Sequence, residues 1–244
     1  MAANPNNRKK PNVVRKQQKR PTGFFLLLGL IVVVGVSLLV YKSYSKAGPI
    51  QGTQVALDPT LAKGPAEGYT YGKADAPVKI IEFADFECPG CGNFATVTEP
   101  DVRKRIIDPG LASLTFYDFP LPQHKNSPGA HNAAACAADQ GKFWQMHDAI
   151  YNSQDQWNTQ ATDNPKPFFE KYAQDIGLNT ATWSQCYDQK KHQDRILANM
   201  AEGNRRQVGQ TPTFIIGDKS YPGSIPYDQI KAIVDSMTKP KATP

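Results

Sequence analysis

Three hydrophobic patterns divide the chain. From Phe24 to Tyr41 every side of the sequence is apolar, 18 residues without a charge. As a helix rising about 1.5 Å per residue it would reach roughly 27 Å, close to the hydrocarbon thickness of a bilayer. The run leads into Tyr41-Lys42-Ser43-Tyr44-Ser45-Lys46 with no small-x-small cleavage site, so an uncleaved transmembrane anchor over 23–41 is expected in place of a signal peptide. Residues 42–67 carry Gly, Pro, Ser and Thr without periodicity and read as a linker, with a short edge strand near Gln54–Leu57. From 68 to 238 the pattern is that of one folded domain, followed by a short tail over 239–244.

Within that domain the period changes twice. Val78–Phe83 is a buried-strand run after the turn Gly72–Pro77, and Leu114–Phe119 is a second, ended by Pro120 and Pro122. Asn93–Ile107 between them has helical spacing, and Pro100 predicts a break or kink in it. Helical periodicity then holds for about 80 residues, through His131–Asp139, Phe143–Tyr151, Phe168–Ile176, Thr180–Tyr187 and Arg195–Arg206. Strand signals return at Thr213–Ile216 and Lys219–Tyr221, flanking the hairpin-type turn Gly217-Asp218, and Tyr227–Met237 is a last amphipathic helix. Strand, helix, strand, helical block over 123–208, hairpin and helix define an α/β domain with a helical insert. No internal repeat interrupts it.

Charge changes the picture only at the N-terminus. The formal net charge is +6, but seven basic residues lie before residue 21 and no acidic residue precedes Asp58. Without that tail, 21 basic residues face 22 acidic ones, so the folded part is near neutral and a nucleic-acid-binding surface is not expected. A basic tail before an apolar run predicts that residues 1–22 stay cytoplasmic and that the rest is exported, a single-pass protein with its domain outside the cell.

The candidate chemistry sits where the first strand gives way to helix. Ile80-Ile81-Glu82-Phe83-Ala84-Asp85-Phe86-Glu87 runs into Cys88-Pro89-Gly90-Cys91. A thiol at a helix N-terminus meets unpaired backbone N–H groups and the positive end of the helix dipole, which favour thiolate. The second cysteine is close enough to resolve a mixed disulfide. A C-x-x-C can also be half of a zinc site, but Cys136 and Cys186 are 50 residues apart, and His124, His131, His147 and His192 lack ligand spacing, so no metal is expected. Outside the cytosol an even cysteine count favours two pairs. The local pairing of Cys88 with Cys91 leaves Cys136 with Cys186, the alternative being two buried free thiols.

Two further positions support thiol chemistry. Glu82 stands six residues before Cys88 in an otherwise apolar strand; buried there, its carboxyl would have a raised pKa and could carry a proton to or from the resolving thiol. An exposed strand end is the plainer alternative. Thr211-Pro212 opens the strand at Thr213, and a cis bond there would leave backbone groups free to pair with an extended peptide. Asp85 and Glu87 are expected as exposed carboxylates that oppose thiolate formation if near. His147 is expected to pack or cap, Trp144, Trp157 and Trp183 to be core, and Lys190-Lys191-His192 to be a solvated face.

On three stretches the domain resembles the DsbA-like thiol-disulfide oxidoreductases of the thioredoxin superfamily. They are Glu82-Phe83 with Cys88-Pro89-Gly90-Cys91; Ala138-Asp139-Gln140-Gly141-Lys142-Phe143-Trp144 with Met146-His147-Asp148; and Gly209-Gln210-Thr211-Pro212-Thr213-Phe214. The resemblance covers about 68–238 and none of the first 67 residues. It implies a thioredoxin fold with an inserted helical domain. It further implies that Cys88 is the nucleophile, Cys91 the resolving thiol, Pro212 a cis proline facing them, and Glu82 the buried acid. Thr211, Pro212, Pro89 and Gly90 would then line the substrate site. Relatives with a similar anchor pair cysteines at positions like Cys136 and Cys186 in a structural disulfide. Strong oxidants of this kind often carry His between the cysteines; Pro89-Gly90 offers no side-chain cation, so thiolate stabilisation is expected from the helix terminus and the Gly90 and Cys91 amides.

The expected function is the introduction of disulfides into reduced exported proteins, without a cofactor, by a monomer held to the bilayer through Phe24–Tyr41. The resemblance implies recharging by a membrane redox partner of the DsbB or VKOR type. A reductase or isomerase, and a metal-handling adaptor, are the alternatives.

Overall fold

A computed structural model describes Thr53–Gln54 and residues 65–238. The expected cytoplasmic tail, the Phe24–Tyr41 anchor, most of the linker and the 239–244 tail lie outside the described residues. Among those described, no helix is long and apolar enough to cross a membrane.

Six strands form one mixed sheet in the order β1-β6-β5-β3-β4-β2. They are β1 (Thr53–Gln54), β2 (Tyr69–Tyr71), β3 (Val78–Ala84), β4 (Ala112–Asp118), β5 (Thr213–Ile216) and β6 (Lys219–Pro222). Central β3 pairs parallel with β4 and antiparallel with β5. Parallel pairing needs a crossover, which helix α1 (89–107) supplies. β5 and β6 form the expected hairpin, and β1 adds to β6 as an edge, Thr53 opposite Ser220 and Gln54 opposite Lys219, while the rest of the expected Gln54–Leu57 strand lies outside the described residues. β2, antiparallel to β4, is a strand that the hydrophobic pattern does not announce.

Helix α1 differs from expectation at both points of interest. It starts at Pro89, inside the C-x-x-C, because proline is suited to a first helical turn that needs no N–H donor. It also passes Pro100 without breaking. Its segments alternate, Pro89–Asn93 and Glu99–Val102 as α-helix and Phe94–Thr98 and Arg103–Ile107 as π-helix. The wider turn before Pro100 closes with Glu99 N–H donating to the Phe94 carbonyl, so the proline falls in a fresh first turn where its missing donor costs nothing.

The insert contains α2 (Ser127–Ala138), α3 (Phe143–Asn152), α4 (Gln154–Trp157), α5 (Lys166–Asp175), α6 (Thr180–Asp188) and α7 (Gln193–Arg205); α8 (Tyr227–Thr238) is the last described element. Alternation along β3 sends Val78, Ile80, Glu82 and Ala84 to one face. There Val78, Ile80 and Leu114 pack with Phe94, Val102 and Ile106 of α1 and Ile230 and Val234 of α8. Further along the same face, Ala84 and Phe116 join Phe86, both site cysteines and the insert's core, including Trp157, Phe169 and Trp183. Trp144 is partly buried against both clusters. Phe83, Phe119, Val208 and Ile215 fill the opposite face. α7 lies against that face through Gly203, where a Cβ would stand 2.5 Å from the Phe119 ring and 3.1 Å from Phe83.

Cys136 on α2 and Cys186 on α6 form a disulfide that joins two insert helices, with Cα atoms 5.8 Å apart. Beside it, Lys191 and His192 pair with Asp139 at 2.9 and 3.1 Å, so part of the expected solvated face is tied down.

Candidate active site

The site forms where β3 ends and α1 begins. Cys88 is the N-cap residue of α1, 8% exposed, and Cys91 lies one turn inside, fully buried; both are free thiols. The Thr211–Pro212 bond is cis and brings the start of β5 against them. The neutral Cys88 thiol donates to the Thr211 carbonyl at 3.3 Å. Gly90 fits under this loop closely: a Cβ there would lie 3.3 Å from the Pro212 ring, 3.7 Å from the Cys88 sulfur and 3.8 Å from the Thr211 carbonyl. Pro89, Gly90, Thr211 and Pro212 therefore border the Cys88 sulfur from both sides.

The two sulfurs are driven apart electrostatically. Cys88 is lowered from 9.0 to about 5. Its largest stabilisation is a hydrogen bond from the Cys91 thiol; burial opposes it, and Thr211 and the Cys91 and Gly90 amides add to it. The amides are the donors expected from sequence, but the leading donor is the partner thiol. The Thr211 hydroxyl, buried without another partner, is the group of that residue able to donate to a thiolate once the carbonyl contact is given up. Cys91 is pushed well up by burial, by its hydrogen bond to Cys88 and by the charges of Cys88 and Glu82, and the Asp85 amide contacting its sulfur at 3.5 Å offsets this only in part. The thiolate is thus favoured at Cys88 and the thiol at Cys91.

Glu82 is 2% exposed, on the sheet face that α1 covers. Burial raises its carboxyl well above the ordinary value, the Glu99 charge adds to this, Arg103 counters it and Cys88 adds again. Its Oε2 has no hydrogen-bond partner.

Asp85 and Glu87 correct the expectation of exposed carboxylates, at 0% and 4% exposure. Asp85 accepts from the Glu87 amide (2.8 Å), the Leu121 amide (2.8 Å) and the Ser127 hydroxyl (2.5 Å), and pairs with His124 Nδ1 (2.7 Å). Glu87 accepts from the amides of Asn126 (3.0 Å) and Thr159. Gln154 donates to the carbonyls of Phe86 (2.7 Å) and Cys88 (3.0 Å). The cysteine loop is therefore fixed by the insert. His147 is fully buried among Phe86, Phe116, Phe143 and Tyr151, and Trp157 and Trp183 are core, whereas Trp144 is only partly buried beside Tyr71.

Sequence reasoning missed Glu99 and Arg103, whose charges act on Glu82. A Glu/Arg pair four apart on a helix is the only signal, and it ordinarily marks a solvated face. Three histidine and cysteine groups outside the site, Cys136, Cys186 and His192, come close enough to suggest ligands, but both sulfurs are spent in the disulfide.

A lowered thiol and a buried, raised one, faced by a cis proline on a βαβ-based sheet, are an arrangement suited to thiol-disulfide exchange. A thioredoxin family profile matches residues 66–236, and the chain belongs to that family. Its relatives and fold neighbours include DsbA-like thiol-disulfide oxidoreductases. The probable disulfide bond formation protein D of Bacillus anthracis is 27% identical over 181 residues, covering 69% of this chain and 77% of that protein. The Na(+)/H(+) antiporter NhaA 3 of Salinispora tropica is 28% identical over 218 residues, 85% of this chain, and the chain spans only 32% of the antiporter's length. Among solved structures, alpha-DsbA1 of Wolbachia pipientis shares the fold at a TM-score of 0.64 and 22% identity, with 73% of this chain and 94% of that one covered. Oxidised BdbD of Bacillus subtilis gives 0.60 and 22%, with 78% and 98% covered.

Proposed function

We propose that the chain is a membrane-anchored protein disulfide oxidase acting outside the cytoplasm, with Cys88–Cys91 as its redox couple. The observation that carries this is the split between the sulfurs, Cys88 near 5 and Cys91 well above 9. A disulfide has no thiolate to stabilise, so whatever holds Cys88 ionised favours the dithiol form and makes the disulfide a better oxidant.

In the oxidised state a substrate thiolate attacks the Cys88 sulfur. A bond forms between substrate and Cys88, the Cys88–Cys91 bond breaks, and Cys91 leaves with the electron pair and takes a proton. Glu82 is the donor for that proton. A second substrate thiolate attacks the substrate sulfur of the mixed disulfide, and Cys88 departs as the stable thiolate. The substrate gains a disulfide and the protein is left as Cys88 thiolate and Cys91 thiol. Pro89, Gly90, Thr211 and Pro212 seat the extended substrate, with backbone groups beside the cis proline available for pairing. Cys136–Cys186 is the structural bridge.

Reduced exported proteins are the substrates in this reading, and a quinone-linked membrane partner of DsbB or VKOR type withdraws the electrons. The Phe24–Tyr41 run anchors the domain near both, raising their effective concentration. The basic tail, before it, would lie in the cytoplasm.

A Cys91→Ser variant in cells tests the mechanism. Without the resolving thiol, adducts joined through Cys88 to exported proteins should accumulate; their absence refutes exported proteins as the substrates this site oxidises. Alkylation of the unsubstituted protein in cells fixes the direction, with mostly disulfide expected of an oxidase and mostly dithiol of a reductase or isomerase.

A further inference from the structure

Beyond Glu82 the buried polar groups continue with Glu99 and Arg103, whose charges act on it. Glu99 on α1 is 1% exposed. Arg103 Nε donates to its Oε1 at 2.7 Å, while its Oε2 has no hydrogen-bond partner. The same guanidinium donates to both Asp148 oxygens at 2.9 and 2.8 Å and lies over the Tyr71 and Trp144 rings at 4.9 and 4.8 Å. Between the two carboxylates stands His147 of α3. Its Nε2 has no hydrogen-bond partner and lies 3.8 Å from Glu99 Oε2. Its Nδ1 is 2.8 Å from Asp148 Oδ1 and 3.2 Å from Arg103 Nη2. Nδ1 thus faces an acceptor and a donor together, so each ring tautomer has a partner there. Asp148 is 46% exposed and borders a cleft of about 400 Å³ with Ala95, Pro100, Lys104 and Asn152.

Buried polar atoms are nearly always paired. Here Glu82 Oε2, Glu99 Oε2 and His147 Nε2 are all buried without a hydrogen bond. Glu82 feels Glu99 as its strongest charged neighbour, and Cys91 feels Glu82. Two of these atoms, His147 Nε2 and Glu99 Oε2, face each other at 3.8 Å, a gap that a small side-chain movement closes into a hydrogen bond. We propose that Glu99 and His147 extend the path from Glu82, so that protons reach and leave Cys91 through the protein interior and cross to solvent at Asp148. Arg103 is a positioning residue, holding Glu99 and Asp148 on either side of the imidazole.

The inference rests on Cys88–Cys91 being the redox couple. When that bond opens, Cys91 takes the electron pair and receives the Glu82 proton. His147 Nε2–H gives its proton to the Glu99 carboxylate, Glu99 passes a proton on to Glu82, and His147 Nδ1 takes up a proton from solvent beside Asp148. Closing the disulfide runs the transfers backwards. The titratable groups facing this path are Cys88, Cys91, Glu82, Glu99, Arg103, Lys104, Asp108, His147, Asp148 and Tyr151.

The test is the rate at which dithiothreitol reduces the oxidised chain, followed by tryptophan fluorescence from pH 5 to 9 at several imidazole concentrations. His147→Gln keeps an amide in reach of Asp148 but cannot change tautomer. It should slow the reaction about tenfold or more, the low end for loss of a positioned proton carrier, and added imidazole should restore the rate. Asp148→Asn, at the exposed end, should give a smaller slowing with the same rescue. The Cys88 thiolate titration at 240 nm should stay where it is in both variants, which shows the site intact. Unchanged rates, or slowing that imidazole does not relieve in either variant, overturn the path. Dithiothreitol reports on the couple whatever its direction in the cell. Missing adducts with exported proteins would therefore sink the oxidase reading alone.

Discussion

Acidifying the reduced chain perturbs the site most directly. Cys88 is lowered from 9.0 to about 5 in the folded state. An acid lowered in this way contributes stability that is complete above pH about 9, declines as pH falls, and is gone below about 5, where folded and unfolded chains both carry the thiol. Linkage gives about 2.7 kcal/mol at pH 7 and about 0.4 kcal/mol at pH 5. Cys88 lies at the surface edge of its pocket, and screening trims the difference toward about 2 kcal/mol. The oxidised form has no Cys88 thiolate and lacks this term. The stability gap between reduced and oxidised chains should therefore shrink by about 2 kcal/mol from pH 7 to pH 5, and the pH 7 potential should lie roughly 40–60 mV above that of an ordinary dithiol. Guanidinium unfolding of both redox forms at pH 5, 6 and 7, with thiolate absorbance at 240 nm, measures it. Cys91, pushed the other way, does not titrate in this window. A thiolate midpoint near 9, or a gap that ignores pH, would refute the reasoning.

Other consequences follow from the same contacts. Glu82→Gln should stabilise the protein by about 1–3 kcal/mol at pH 7, because a raised buried acid costs stability as pH climbs above its unfolded value; equal melts at pH 7 would mean that Glu82 is not desolvated. Asp85→Ala leaves the Ser127 hydroxyl, the Leu121 amide and His124 without their acceptor and should cost about 3 kcal/mol or more in denaturant unfolding. Replacing Cys136 and Cys186 together by Ala removes a bridge of sequence separation 50 and should cost about 2–4 kcal/mol. The Cys88 titration should not move in that double variant. Gly90→Ala places a Cβ 3.3 Å from the Pro212 ring and should slow adduct formation with peptides more than with dithiothreitol, read as separate second-order rates.

What the sequence discloses here is local. The strand before Cys88, the helix after it and the hairpin at Gly217 have periods and turn residues that neighbours along the chain decide. Tyr69–Tyr71 is too short to show a period and exists because Leu114–Phe116 offers it an edge. Pro100 signals a break in an α-helix, but a π turn absorbs it, and no residue type marks a π turn in advance. Asp85 and Glu87 look like surface carboxylates because their partners stand 36 to 72 positions away, at Leu121, His124, Asn126, Ser127 and Thr159. Glu99 and Arg103 are hidden for the same reason: Tyr71, Trp144 and Asp148, from two other elements, turn an ordinary helical pair into an interior one.

The ties from Asp85, Glu87 and the Phe86 and Cys88 carbonyls into the insert make the redox loop a poor candidate for transplantation. Excise residues 123–208, close the gap with a short turn, and Glu87 loses both its amide donors while Asp85 keeps only the Glu87 and Leu121 amides. A minimal scaffold of this protein would have to redesign the approach to its own cysteines. The helical block is the other half of the mould in which the reactive sulfur is cast.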